Sequence, residues 1–359
     1  MAYERETLAK IKGYEPGKQP KSRDVVKLNT NENPYPPCEA VMSALRGIDP
    51  ETLRRYPPPL SDRFRETAAR VHGLRAENVL AVNGGDELLR LAVTTFVEPG
   101  LPVGMVDPSY SLYPVLAAIH GSPMIRLPAL EDWSLPPDLA RRMNAEGVRL
   151  LFLVNPHAPS GHLLPPSRVE DLTAEFRGVL LVDEAYVDFA DPGLGHDLVP
   201  LLERFDNLLL LRSLSKGYSL AGLRFGYGLA ARDLIAPMLY KTRDSYNLDA
   251  VAQVLATAAL EHRDRAAETW RRVRQARESL RDALVDLGFR VPESQSNFLL
   301  AGVGDGAVSA ESIQRALEER GVLVRYFPRG RLRDALRISV GTEEQNRKLL
   351  QALQEILRG

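Results

Sequence analysis

The sequence predicts an α/β fold: a three-layer α/β/α large domain built on a mostly parallel sheet, followed by a smaller α+β C-terminal domain. Three observations carry this. Apolar runs at 79–82, 102–106, 150–154, 179–182, 208–211 and 224–228 alternate with helix-like segments and end in polar turn residues, the pattern of strands buried on both faces. The chain has 359 residues, whereas a single hydrophobic core stops growing at roughly 250 to 300, so two domains are expected. Beyond residue 287 the runs become shorter and look antiparallel, interleaved with helices.

Taken in order, residues 1–37 are polar, rich in Pro, Lys and Asn, and lack sustained periodicity. They read as an extended N-terminal arm without a packed element, able to cross to a partner subunit. Residues 38–248 hold the apolar runs and form the large domain. An amphipathic stretch from 249 to 287 is long enough for two helices or one long connector. Strands near 289–292 and 297–303, a helix over 309–320, strands near 322–325 and 336–340, and a closing helix from 343 complete a small domain spanning 249–359.

Bulk composition narrows the function. The formal net charge is -1, so no global basic field favours nucleic acid or an anionic membrane. A single cysteine, Cys38, excludes an internal disulfide framework and reads as a structural thiol. Scattered charges at the N-terminus leave no room for an apolar signal segment, and the expected location is the cytoplasm. Six histidines are spread without ligand spacing, so no metal site is expected.

In open parallel sheets ligands lie outside the carboxyl ends of the strands, so the residues that follow each run are the informative ones. After 79–82 comes Asn83-Gly-Gly-Asp-Glu87, where glycines at a helix start expose N–H groups suited to a phosphate. After 102–106, Asp107-Pro-Ser-Tyr-Ser-Leu-Tyr113 brings aromatic rings on which a flat cofactor could stack. After 150–154, Asn155-Pro-His-Ala-Pro-Ser-Gly161 is a turn-rich loop that could approach a ligand. Asp183-Glu-Ala-Tyr186 puts a carboxylate at the end of a buried strand, which is costly unless a cation meets it. Finally Arg212-Ser-Leu-Ser-Lys-Gly217 supplies the central lysine of a chain that uses lysine at only eight positions and otherwise relies on arginine. An amine among cations loses part of its proton affinity and can attack a carbonyl, while Ser213, Ser215 and Arg224 could hold a phosphate.

At these residues the sequence resembles the fold-type I aminotransferases dependent on pyridoxal 5'-phosphate (PLP), and within them is similar to the histidinol-phosphate aminotransferases. The resemblance spans nearly the whole chain and rests on Leu28-Asn-Thr-Asn-Glu-Asn-Pro34, Arg55-Tyr-Pro57, Asp183-Glu-Ala-Tyr186, Ser213-Leu-Ser-Lys216, Ala221-Gly-Leu-Arg224 and Leu336-Arg-Ile-Ser-Val-Gly-Thr342. It implies Lys216 as Schiff-base lysine and proton shuttle, Asp183 as partner of the pyridine nitrogen, Tyr186 on the 3' oxygen and Tyr110 stacked on the ring. Gly85, Asp86, Ser213, Ser215 and Arg224 are implied at the cofactor phosphate, with Tyr56 reaching it from the other subunit of a homodimer. Arg337 corresponds to the arginine that pairs with the substrate carboxylate, helped by Arg325 and by Tyr14 of the arm.

The chain departs from the family pattern at Ala158, where an asparagine usually bonds the 3' oxygen; Tyr186 then acts alone, or Asn155 or His157 substitutes. The implied reaction is ping-pong exchange between an amino donor and a keto acid, first of all histidinol phosphate and 2-oxoglutarate in L-histidine biosynthesis. Transamination of aromatic amino acids, decarboxylation of threonine phosphate, and a non-catalytic protein that keeps the fold are the alternatives.

Overall fold

A computed structural model describes residues 3–20, 22, 24–304 and 308–358. Eleven strands form two sheets: β1 Val26–Leu28, β2 Val79–Val82, β3 Val103–Asp107, β4 Met124–Pro128, β5 Leu150–Val154, β6 Val179–Asp183, β7 Leu208–Ser213, β8 Gly226–Ala230, β9 Phe298–Gly302, β10 Val322–Tyr326 and β11 Ala335–Ser339. The large sheet has the order β2-β8-β7-β6-β5-β3-β4 and the small one β1-β10-β11-β9.

Alternate residues of the large sheet feed two separate cores. Leu180, Val182, Leu208 and Leu210 point into one, and Leu181, Leu209 and Leu211 into the other. A strand covered on both faces has no position that tolerates water, which is why these runs read as continuous leucine and valine. Helices including Gly84–Phe96 on one side and Ala250–Glu261 on the other supply the covering layers.

Strands β3 to β7 run parallel to one another within the large sheet. Because β8 is antiparallel to both β2 and β7, β2 points the same way as the parallel set. The carboxyl ends of β2, β3, β5, β6 and β7 therefore share one edge. Residues 249–287 form two helices, Ala250–Glu261 and Arg263–Asp286.

Four expectations need correcting. The arm carries a strand after all: β1 pairs in parallel with β10, Val26 opposite Val322 and Leu28 opposite Val324. Three residues are too few to show a period, although Val26 and Leu28 are buried in the core of the small domain. The run expected at 224–228 becomes strand β8 only from Gly226, extending to Ala230, and it lies antiparallel to its neighbours in the mostly parallel sheet, since hydrophobicity encodes burial and not direction. β4 has no counterpart in the reading because Arg126 and flanking prolines interrupt its apolar residues; it is a half-exposed edge strand, where proline and charge are tolerated. The strand expected at 289–292 reduces to a single bridge between Arg290 and Gly302.

No helix among the described residues is long and apolar enough to cross a membrane. Leu210, with no exposed surface in the middle of β7, is a direct test of the core. Leu210→Ala is expected to lower unfolding free energy by about 2–5 kcal/mol, read as a reduced denaturant midpoint at unchanged slope.

Candidate active site

The shared edge of the large sheet opens into a cavity of about 1060 Å³, whose other walls come from the N-terminal segment and the small sheet. Asp183 ends β6 and is 7% exposed. Its carboxylate accepts a hydrogen bond from Tyr113 Oη (2.9 Å) and one from the Ala185 N–H (3.1 Å). Burial pushes the carboxyl up to about 6 despite both bonds. An acid in this state is satisfied by a cation, such as a protonated ring nitrogen, entering from the cavity.

Lys216 reaches the same cavity from the loop after β7, its Nζ donating to the Thr30 carbonyl at 2.8 Å. Burial first, then the charges of Arg337, Arg224 and Lys27, bring its amine down to about 8, against the opposing pull of Glu32. Near neutral pH a useful fraction of the amine is unprotonated and nucleophilic.

A cradle suited to a phosphate lies beside it. The helix Gly84–Phe96 begins with Gly84 at φ +72°, and a Cβ there would come within 2.6 Å of an Arg224 guanidinium nitrogen. Glycine is required for the two to approach. Arg224 donates to Ser215 Oγ at 3.4 Å and lies 3.6 Å from Asp86, while Ser213 Oγ accepts the Ser215 N–H at 3.1 Å. Helix-start amides, two hydroxyls and one guanidinium form a donor set matched to a dianion. Across from it the Tyr110 hydroxyl donates to Asp86 at 3.2 Å, and its ring meets Tyr14 edge-on with centroids 5.7 Å apart. Burial, followed by the Asp86 charge, raises the Tyr110 phenol and keeps it neutral.

Arg325 and Arg337 face each other across the β10–β11 pair. Arg325 donates to the carbonyls of Glu15 (3.3 Å) and Pro16 (3.5 Å), while Arg337 donates to the Asn29 carbonyl at 3.4 Å and has a buried Nε with no partner. Among the described residues neither forms an ion pair. Burial lowers the Arg337 pKa, and a substrate carboxylate would supply its missing acceptor.

Two expected residues, Asn155 and His157, are engaged elsewhere, and Tyr56, expected at the partner subunit's site, lies outside this chain's own cavity. The Asn155 side chain is wholly buried and bonded both ways to the Leu164 main chain, at 3.2 and 2.8 Å, so it does not line the cavity. His157 has both ring nitrogens engaged, with Ser160 Oγ (2.8 Å) and the Pro108 carbonyl (2.9 Å), and burial holds it near 4 and uncharged. It too is unavailable to replace the asparagine missing at Ala158. Tyr56 is 81% exposed and stacks on Tyr246 at 4.5 Å, away from the cavity of its own chain.

A model of the family described as aminotransferase class I and II matches residues 23–353. The chain belongs to the class I and II aminotransferases. It is 41% identical over 353 residues to the histidinol-phosphate aminotransferase of Microcystis aeruginosa, covering 98% of each chain. The corresponding protein of Rippkaea orientalis is 41% identical over 352 residues, again 98% of each. Among solved structures it resembles the histidinol-phosphate aminotransferase of Sinorhizobium meliloti in complex with PLP, with a TM-score of 0.86 and 27% identity over 92% of this chain and 90% of that one.

Sequence reasoning passed over three residues of this aminotransferase's site. Tyr113 supports Asp183 from the same aromatic run that offers Tyr110 as a stacking ring. Thr30 acts through its carbonyl, which leaves no trace in side-chain pattern. Asn31 donates from Nδ2 to Tyr186 Oη at 3.1 Å; its asparagine-rich surroundings were the one available signal.

The depressed Lys216 pKa has a measurable sign. Between about 8 and the ordinary 10.5 the unfolded chain holds more protons than the fold, so without cofactor the protein gains stability as pH rises through that window. Below it the fold carries a penalty on the order of 3 kcal/mol. Cofactor-free Lys216→Met is therefore expected to melt above cofactor-free wild type at pH 7, with the difference shrinking toward pH 10.5. Equal melting temperatures at pH 7 would mean that the amine is not desolvated.

Proposed function

We propose that this protein is a PLP-dependent aminotransferase that exchanges amino groups between histidinol phosphate and 2-oxoglutarate, in the cytosolic synthesis of histidine. The observation that carries the reading is the meeting of a buried carboxylate, Asp183, and a half-buried amine, Lys216, in one cavity with a third, half-buried charge, Arg337, whose Nε has no acceptor. Opposite charges kept short of partners fit a ligand that brings its own.

PLP, when bound, supplies an aldehyde for the amine to condense with and an aromatic ring that delocalises the electron pair left when the substrate loses its α-proton. This chain's residues do the rest. Asp183 holds the proton on the ring nitrogen. Lys216 Nζ takes the proton from the substrate's Cα and returns it during the exchange. Tyr186 would hold the ring's 3' oxygen with its hydroxyl, and Tyr110 would supply the stacking ring. Gly85, Asp86, Ser213, Ser215 and Arg224 hold the cofactor phosphate. Arg337 would take the carboxylate of glutamate or 2-oxoglutarate in a two-oxygen grip, and in the other half-reaction the same pocket, helped by Arg325 and Tyr14, would take the phosphate ester of histidinol phosphate. In a homodimer the exposed Tyr56 extends to the partner's cofactor phosphate.

Support for a phosphorylated substrate comes from the cavity itself, where basic side chains outnumber acidic ones by seven to three. An aromatic amino acid brings a single carboxylate charge to such a lining, whereas histidinol phosphate, which has a phosphate ester in place of the carboxylate, brings up to two charges on one group.

The test is a glutamate-formation assay with purified protein, PLP and 2-oxoglutarate. Histidinol phosphate is expected to be preferred over phenylalanine on the order of 100-fold in kcat/KM. Arg325→Gln should lose roughly 10-fold or more of the activity on histidinol phosphate while changing that on phenylalanine little. Preference for phenylalanine would make the enzyme an aromatic aminotransferase, and CO2 release from threonine phosphate a decarboxylase. Lys216→Ala should abolish turnover, and borohydride should then label no peptide containing position 216.

A further inference from the structure

Three consecutive residues of the N-terminal segment each give one polar group to a different residue of the site. The Asn29 carbonyl accepts from Arg337 at 3.4 Å, the Thr30 carbonyl accepts from Lys216 at 2.8 Å, and Asn31 Nδ2 donates to Tyr186 Oη at 3.1 Å. The first two are main-chain contacts that any residue could make. Only the third depends on a side chain.

Asn31 is 1% exposed and sits at φ 56°, in the left-handed region that costs most side chains energy and that asparagine enters most readily after glycine. Its orientation is fixed from three directions. The Asn31 N–H donates to Ser339 Oγ at 2.8 Å, the Ser339 hydroxyl donates back to Oδ1 at 3.0 Å, and Asn297 Nδ2 donates to the Asn31 carbonyl at 2.8 Å. The serine hydroxyl accepts from the main chain and gives its single proton to Oδ1, with Nδ2 facing Tyr186. With an N–H on its lone pair, the Tyr186 oxygen has its own proton free to donate into the cavity. A hydroxyl that accepts one hydrogen bond donates a stronger one. On the same wall Ala158 offers only a methyl.

We propose that Asn31 is a positioning residue for transamination: it holds Tyr186 as a donor toward the cofactor's ring oxygen and strengthens that donor, with Ser339 setting the direction of its amide. This rests on the reading of PLP as cofactor and Tyr186 as the group on its ring oxygen. A donor to an anionic ring oxygen favours the deprotonated form of the bound chromophore, so weakening the donor raises the pH at which the chromophore titrates.

The experiment is a pH titration of the visible absorbance of PLP-loaded protein without substrate. Asn31→Gly keeps the left-handed backbone and removes the amide. Its midpoint is expected to rise by roughly half a unit to one unit, the scale of one net hydrogen bond, in the same direction as in Tyr186→Phe. Added to Tyr186→Phe, the glycine substitution should shift the midpoint no further. Ser339→Ala, which leaves the amide present but free to turn, should give a smaller rise and decides by the same criterion where Asn31→Gly does not fold. An unmoved midpoint in folded, PLP-loaded Asn31→Gly, or a shift that persists in the Tyr186→Phe background, overturns the inference alone. Wild-type protein that develops no visible band with PLP overturns the cofactor reading and this inference with it.

Discussion

One buried acid and two half-buried bases, set around one cavity with too few partners of their own, set the terms for the rest of the molecule. Asp183 is pushed up, Lys216 is pushed down, and Arg337 keeps an unsatisfied nitrogen. Each would be more comfortable in water, and the surrounding fold is what denies it that. Strands covered on both faces provide the necessary rigidity, because a sheet without a wet side cannot relax to let solvent reach the end of β6. The stability lost at the cavity is supplied by the two leucine-rich cores that flank the sheet.

Neither sheet builds the site alone. The large one delivers the carboxylate, the amine and the phosphate cradle from its shared edge. The small one brings the arginine pair, and β1 carries the peptide that ties both together. Asn31 bonds at once to Tyr186, which follows β6, and to Ser339 at the end of β11. The tripeptide 29–31 therefore acts as the joint between the two halves, and relative displacement of the sheets would be felt at the lysine, the tyrosine and the arginine together.

Much of this was legible in the residue order. Lys216 and Asp183 stood out because a scarce amine and an isolated carboxylate each followed an apolar run, and burial turns such residues into chemistry. Arg337 was legible only through resemblance, since an arginine-rich chain offers many equivalent candidates. What escaped the reading has physical causes. Asn155 and Asn31 are both asparagines near strand ends, and nothing in the order of residues says that one amide closes a local turn onto Leu164 while the other crosses to Tyr186. Main-chain acceptors such as Thr30 are invisible to side-chain pattern. Strand β1 was too short to have a period, β4 was broken by Arg126, and the direction of β8 is a property of connections and not of composition.

The pairing of β1 with β10 joins residues 26–28 to 322–324, nearly the full length of the chain. On a ribosome the amino-terminal strand emerges first and must wait for almost the last one before it has a partner. Until then Thr30 has no fixed place from which to hold the lysine, and Arg337 has yet to be made. Closing so long a loop carries a large entropic cost that only the finished small sheet offsets. The centre is therefore complete only when the small sheet is, because a chain that ends before β10 holds neither the partner of β1 nor Arg337.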